Sequence, residues 1–140
     1  MYDNVLVPTD GSDRARAAAE NAIGLAEDHG ATVHALYVMD MGNAAFVATP
    51  SDISETRSRL EEKGEEFTEK IVEMAAEAGV DATTATRAGT PAEEIVGYAE
   101  EHDVDLIVMG KRGRSDPDKP AFGSITNRVV GSVETRVLTV

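Results

Sequence analysis

The sequence predicts an α/β domain in which a parallel sheet carries helices on both faces, and three observations lead there. Five short apolar runs alternate with four segments of helical period, in the order βαβαβαβαβ. Helix start and stop residues punctuate the changes of period, with Ser12, Ser51 and Thr90 at starts and Gly30 and Gly79 at stops. The run "VDLIVMG", Val104 to Gly110, is apolar without alternation, as a strand covered on both faces is. At 140 residues the chain is most simply one domain, residues 1–140, long enough to bury one core of two or three layers.

The first strand is "NVLVPT", Asn4 to Thr9, ended by Asp10 and Gly11. Ser12 caps a helix on which Ala15, Ala18, Ala19, Ala22, Ile23 and Ala26 recur at helical spacing, and His29 and Gly30 close it. "ATVHALYVM", Ala31 to Met39, is the second strand. A loop runs through Pro50, and Ser51 opens a long charged helix that reaches Ala78. Its inner face is Leu60, Phe67, Ile71, Met74 and Ala78, and its acidic stretch "EEKGEEFTEK" is a solvated face. The third strand, "VDATTATRA", Val80 to Ala88, is more polar than the others. In "TPAEEIVGYAEEH", Thr90 caps, Pro91 takes the first helical position and Glu93 completes a capping box. "VDLIVMG" is the fourth strand, flanked by Asp103 and Asp105 as turn residues. "SITNRVVG", Ser124 to Gly131, is a short helix, and "TRVLTV", Thr135 to Val140, is the last strand.

The formal net charge of −13, from 26 acidic and 13 basic side chains, repels nucleic acid and anionic membrane surfaces. Abundant Asp and Glu with only four Lys resembles the composition of proteins from salt-loving organisms. There is no cysteine, which excludes a disulfide framework and a thiolate metal site. No apolar run approaches the roughly 20 residues that span a bilayer. "MYDNVLVP" has neither a basic region nor a small-residue cleavage site, so the expected location is cytoplasmic.

In an open parallel sheet, ligands sit beyond the carboxyl ends of the strands where strand order reverses. Three segments fall at such ends: "PTDGS" after the first strand, "VMD" after the second and "GKRG…GS" after the fourth. The last of these gathers Lys111, Arg112, Arg114 and Lys119 among Gly110, Gly113 and Gly123. Residues 111–119 carry a net +2 and leave −15 for the remainder, so a local cationic seat lies in an anionic field. Such a seat favours one specific anion over polyanions in general. Gly110 permits a sharp turn, Gly113 removes a side chain where a ligand approaches, and Gly123 and Ser124 open a helix whose free N–H groups favour an anion. The alternative reading is a solvated loop in which the glycines turn the chain and Ser124 caps. G-x4-G-K-[ST] is absent, which excludes a P-loop, and His34 has no partner Ser or Cys that would make a triad.

The spacing Gly110, two residues, Gly113, nine residues, Gly123-Ser124 resembles the nucleotide loop of the universal stress protein family, G-x2-G-x9-G-[ST]. "VLVPTDGS", Val5 to Ser12, is similar to that family's first strand and turn, and "VDLIVMG" and "RVLTV" are similar to its fourth and last strands. The resemblance spans essentially the whole chain. It implies a Rossmann-like (adenine nucleotide alpha hydrolase-like) domain, with a five-stranded parallel sheet of order 3-2-1-4-5, that binds ATP or another adenine nucleotide. On that resemblance Pro8 and Thr9 line the adenine pocket, Asp10 holds the ribose or the adenine edge, and Val38 meets adenine through its backbone. Gly110, Gly113, Gly123 and Ser124 cradle ribose and phosphates, with Met109, Arg112, Arg114, Ile125 and Thr126 in support.

Each of these residues also has a structural reading: Asp10 at the start of the first helix, Val38 and Met109 in the core, Arg112 and Arg114 in solvent. The sequence departs from the family in "SDPDKPAF", where Asp116 and Asp118 either repel a triphosphate or hold a Mg²⁺ that bridges it. The family's proline before the last strand is absent, with Arg136 near that place. The resemblance implies a nucleotide-dependent regulatory protein, a homodimer through strand 135–140, with no catalytic residue assigned. A slow ATPase or nucleotidyl-transfer enzyme of the same fold and a nucleotide-free dimeric scaffold are the alternatives.

Overall fold

The computed structural model describes residues 2–41, 49–111 and 124–140. Its elements run β1 (Asn4–Pro8), α1 (Asp13–His29), β2 (Thr32–Met39), α2 (Pro50–Glu77), β3 (Ala82–Ala88), α3 (Pro91–Glu101), β4 (Leu106–Met109), α4 (Ser124–Ser132) and β5 (Arg136–Thr139). All strand pairs are parallel and the sheet order is β3-β2-β1-β4-β5, as expected.

Strand alternation sorts the core into two layers. Val5 and Val7 of β1, Val33 and Ala35 of β2, and Leu106 and Val108 of β4 face the alanines of α1 and Ile71 and Ala75 of α2. Leu6, Leu36, Ile107 and Met109 face the other way, onto Ala92, Ile95, Tyr98 and Ala99 of α3 and Val129 of α4. Val5, Leu6 and Val7 are 0% exposed, so β1 is the centre of the molecule in both directions. Asp105 does more than turn the chain: its Oδ2 accepts from the backbone N–H groups of Asp3 at 2.7 Å and Asn4 at 2.8 Å, tying the start of β1 to β4.

Two local expectations change. The capping box stands on α2, where Thr49 Oγ1 accepts from Asp52 N at 3.2 Å and Asp52 Oδ2 accepts from Thr49 N. At α3 the side chain of Thr90 makes no capping bond. The capping residues Ser12 and Thr49 have ψ of 165° and 162°, whereas Thr90 has 119°, which turns its hydroxyl away from the helix start.

The inner face of α2 is wider than the expected one: Ile71 is buried as expected, with Gly64, Thr68 and Ala75 beside it, and Met74 and Ala78 pack on the same core. Leu60, Phe67, Met74 and Ala78 are half-buried. A β-carbon at Gly64 would lie 2.5 Å from Cδ2 of Tyr37, so the bare helix backbone accepts the β2 ring. Thr68 Oγ1 donates to the Gly64 carbonyl at 2.7 Å, which satisfies a hydroxyl that is otherwise buried.

His34 is the polar residue of the inner sheet. Its Nε2 donates to Asn4 Oδ1 at 3.0 Å and its Nδ1 accepts from the Tyr98 hydroxyl at 2.7 Å, the tautomer these partners require. Tyr98 in turn stacks on His102 at 3.9 Å and lies under the Arg87 guanidinium, which pairs with Glu101. Burial, with His102 nearby as a further cause, holds the His34 pKa below that of a free imidazole. The unfolded chain therefore takes up this proton first as pH falls. The stability His34 contributes is present above the ordinary imidazole pKa and is lost as pH drops through the folded value. The stability difference between the wild type and His34→Gln, which cannot titrate, is thus expected to narrow from about pH 7.5 to about pH 5.5. Urea unfolding at each pH measures it, and a constant difference would contradict the assignment.

Candidate functional site

The order reverses between β1 and β4, which lie side by side while their onward connections run to opposite edges of the sheet. In an open parallel sheet of this order, the expected ligand crevice lies beyond the carboxyl ends of these two strands. Three described segments reach it.

The first is the turn after β1. Thr9 N donates to the Leu36 carbonyl at 2.8 Å, a last sheet bond before the chain leaves. Thr9 Oγ1 then accepts from Gly11 N at 3.1 Å, Asp10 Oδ1 from Ser12 N at 2.9 Å, and Ser12 Oγ from Ala15 N at 3.1 Å. Each polar side chain of the turn accepts a backbone N–H close by in sequence. Asp10 therefore has the structural role expected of it at the start of α1, and that same bond fixes its carboxylate at the mouth of the crevice. Pro8, Thr9 and Asp10 are all half-buried.

The second is the end of β2. Thr32 N donates to Asp3 and Leu36 accepts from Thr9, so even-numbered residues of β2 direct their peptide groups toward β1. Odd-numbered ones face β3, as Val33 and Met39 do through Asp81 and Gly89. Val38 thus directs its N–H and C=O to the β1 side. β1 ends at Pro8, opposite Leu36, so these groups face the crevice instead of a strand. Its side chain packs against the α3 layer, which makes Val38 a core residue and a rim residue together.

The third is the end of β4. Met109 is buried among the α3 and α4 side chains, as its core reading expects. Gly110 is held from the far side of the loop: Thr126 Oγ1 donates to its carbonyl at 3.0 Å. Thr126 is 4% exposed, and its bond brings the first turn of α4 beside the end of β4. The positive end of that helix therefore lies beside Gly110 at the end of β4. Ile125 is 41% exposed and Ser124 begins the helix. Arg112, Gly113, Arg114, Asp116, Asp118 and Gly123 lie outside the described residues.

Among the described residues no group of three or more His, Cys, Asp or Glu could hold a metal ion, and no helix is long and apolar enough to cross a membrane. An open groove of about 420 Å³ lies elsewhere, between α2 and β3, lined by Glu61, Glu65 and Glu69, with Arg57 paired to Glu61, and by Thr84 and Thr86. Three carboxylates against one arginine leave that groove net acidic, which opposes an anionic ligand.

The family model described as "Universal stress protein family" matches residues 1–140. The chain belongs to that family. It is 39% identical over 145 residues to universal stress protein MJ0531 of Methanocaldococcus jannaschii, covering 100% of this chain and 82% of that one. It superimposes on the structure of MJ0577 from the same organism with a TM-score of 0.89 at 29% identity, covering 100% of this chain and 96% of the other. A universal stress protein solved in complex with cAMP matches at a TM-score of 0.73 and 26% identity over 99% of this chain and 96% of its own.

Two residues of the region carry more than their sequence signals suggest. Gly11, which reads as a plain turn residue, lies directly under the ring of Phe67, expected only as part of the inner face of α2. Thr126, expected as a supporting ligand contact, spends its hydroxyl on Gly110. Thr126→Val is therefore expected to destabilise the family fold by about 1–3 kcal/mol, since the Gly110 carbonyl loses its donor, while Thr126→Ser stays close to wild type. Denaturant midpoints for both variants check this, and equal midpoints for Val and Ser would contradict it.

Proposed function

We propose that this universal stress protein binds an adenine nucleotide, ATP in the first instance, in the crevice at the strand reversal, and that nucleotide occupancy alters a surface read by a partner. The observation that supports the reading is topological: Asp10, Val38 and Gly110 stand at the carboxyl ends of the neighbouring strands β1, β2 and β4, and Thr126 ties the start of α4 to Gly110. Those three supply an acceptor for ribose hydroxyls, a donor–acceptor pair for the adenine edge, and a helix start for phosphate. The chain's similarity to a relative solved with cAMP supports an adenine nucleotide as the ligand class. Gly113, Gly123 and Ser124 complete the phosphate seat in this reading, with Arg112 and Arg114 beside it and Pro8, Thr9, Met109 and Ile125 at its walls. Mg²⁺ at Asp116 and Asp118 belongs to the same proposal, as does a cytoplasmic location. This reading assigns no catalytic residue, so the proposed role is nucleotide binding with at most weak hydrolysis.

Calorimetry with ATP, AMP and cAMP tests the reading. Asp10→Ala is expected to weaken ATP binding by about 1–3 kcal/mol, the scale of a lost charged hydrogen bond. Failure of the wild type to bind any of the three would reject the site, and a variant that melts lower yet binds equally well would leave Asp10 with its helix-start role alone.

We also propose a homodimer through β5. Val140 N donates to Met109 and its carbonyl accepts from Lys111, so even-numbered β5 residues face β4. Val137 and Thr139 then direct their peptide groups outward, at an edge where Leu138 is 38% exposed. A two-fold pairing of such edges uses one patch twice. Val137→Pro removes an outward donor and spares the bonds to β4, so it is expected to give monomer. With a net charge of −13 the wild-type dimer is expected to tighten as salt rises. Light scattering across a salt series reads both effects, and a wild-type monomer throughout would exclude the contact.

A further inference from the structure

We infer that Phe67 is a positioning residue: its ring, seated on Gly11, holds the Thr9–Ser12 turn in the shape that presents Asp10 to the crevice. The inference rests on the proposed role of Asp10 and adds to it a contact from a distant part of the chain.

Gly11 has φ of 78°, which accounts for a glycine there whatever lies above it. It does not account for the ring. A β-carbon at Gly11 would overlap Cζ, Cε1 and Cε2 of Phe67, so the outer end of the ring rests on the bare backbone of the turn. The same ring meets Tyr37 edge to face at 5.9 Å with 60° between planes. Tyr37 is itself seated over Gly64, three residues before Phe67 on the same helix. Two ring-on-glycine contacts in opposite senses thus clamp one turn of α2: a β2 ring enters α2 at Gly64, and an α2 ring covers the β1–α1 turn at Gly11. Neither ring can shift without the other.

The turn needs such support. Its hydrogen bonds Gly11 N to Thr9 Oγ1 and Ser12 N to Asp10 Oδ1 each span two residues and lie at an exposed or part-buried surface, where water competes for the same groups. The ring shields this stretch of backbone on one side. Without it, the backbone that carries Asp10 loses one of its supports, and a ligand must then order the turn further on binding.

Amide hydrogen exchange on the full chain without nucleotide, together with ATP calorimetry, tests this in Phe67→Ala. Ile71→Ala serves as control, a core truncation one turn along α2 at a residue 4% exposed. Phe67→Ala is expected to speed exchange at Ser12 and to weaken ATP binding about tenfold, the equivalent of one charge-assisted hydrogen bond. Ile71→Ala is expected to lower the melting temperature and leave both readouts unchanged below it. Should Phe67→Ala not fold, Phe67→Leu, which withdraws only the outer ring atoms, is read in its place. Exchange at Ser12 no faster than in the control overturns the inference, and so does faster exchange with unchanged ATP affinity. A wild type that binds no adenine nucleotide overturns the reading of the site instead, and exchange alone then decides whether Phe67 holds the turn.

Discussion

β1 is paired on both edges and covered on both faces, and every feature of the crevice follows from where it stops. With Val5, Leu6 and Val7 all fully buried, the strand has no freedom to slip; a one-residue shift would move each side chain into the wrong layer. Its end at Pro8 is therefore as fixed as its centre. β2 continues to Met39, past the point opposite Pro8, and so its peptide groups at Val38 look across a gap in the sheet. β4 on the other side ends at Met109 and hands over to Gly110. A gap between two strands of a rigid sheet costs no reorganisation when a ligand fills it, which is the physical basis for placing recognition there.

The helices differ in how they meet this sheet. α1 approaches through Ala15, Ala18, Ala19, Ala22 and Ala26, small residues that permit close packing without specifying much. α2 is specified instead by shape, through the Tyr37–Gly64 and Phe67–Gly11 pairs. The second of these reaches out of the core and onto the turn after β1. The packing that orders α2 thereby also bears on the turn that carries Asp10, and the core and the crevice are physically one network on this side of the sheet.

The element order and the parallel pairing were legible in the sequence because they rest on period and punctuation. The apolar runs, the start at Ser12 and the stops at Gly30 and Gly79 each have a local physical cause. What was not legible depended on contacts between distant residues. On α2 the large side chains mark Ile71 and Met74 on the inner face, but not that Gly64 and Thr68 are buried more deeply than Leu60 and Phe67. A tertiary ring is seated at Gly64, and the hint was a lone glycine inside a helical run. Thr90 with Pro91 and Glu93 has the composition of a capping box, yet the backbone at Thr90 has ψ of 119° and its side chain makes no capping bond. The motif Gly110, Gly113, Gly123-Ser124 was legible as spacing, but the hydroxyl that fixes Gly110 belongs to Thr126, two residues beyond it.

The two open edges of the sheet are chemically unlike, and that difference bears on assembly. Along β3, Thr83, Thr84 and Thr86 are exposed, and Glu61, Glu65 and Glu69 of α2 line the groove beside them. A two-fold contact at that edge would bring each carboxylate row toward its own copy, and like charges face to face oppose it. Along β5 the exposed residues include Leu138, with Ile125 and Val130 exposed on α4 nearby in the chain. There the opposing force is the diffuse charge of the whole molecule, which salt screens, rather than a fixed row of acids at the contact. A strongly acidic chain with two unpaired edges thus has one edge that its own charge protects and one that it leaves available. The edge left available is the strand next to β4, whose end forms one wall of the crevice, so a partner copy seated on β5 would stand one strand away from the proposed nucleotide.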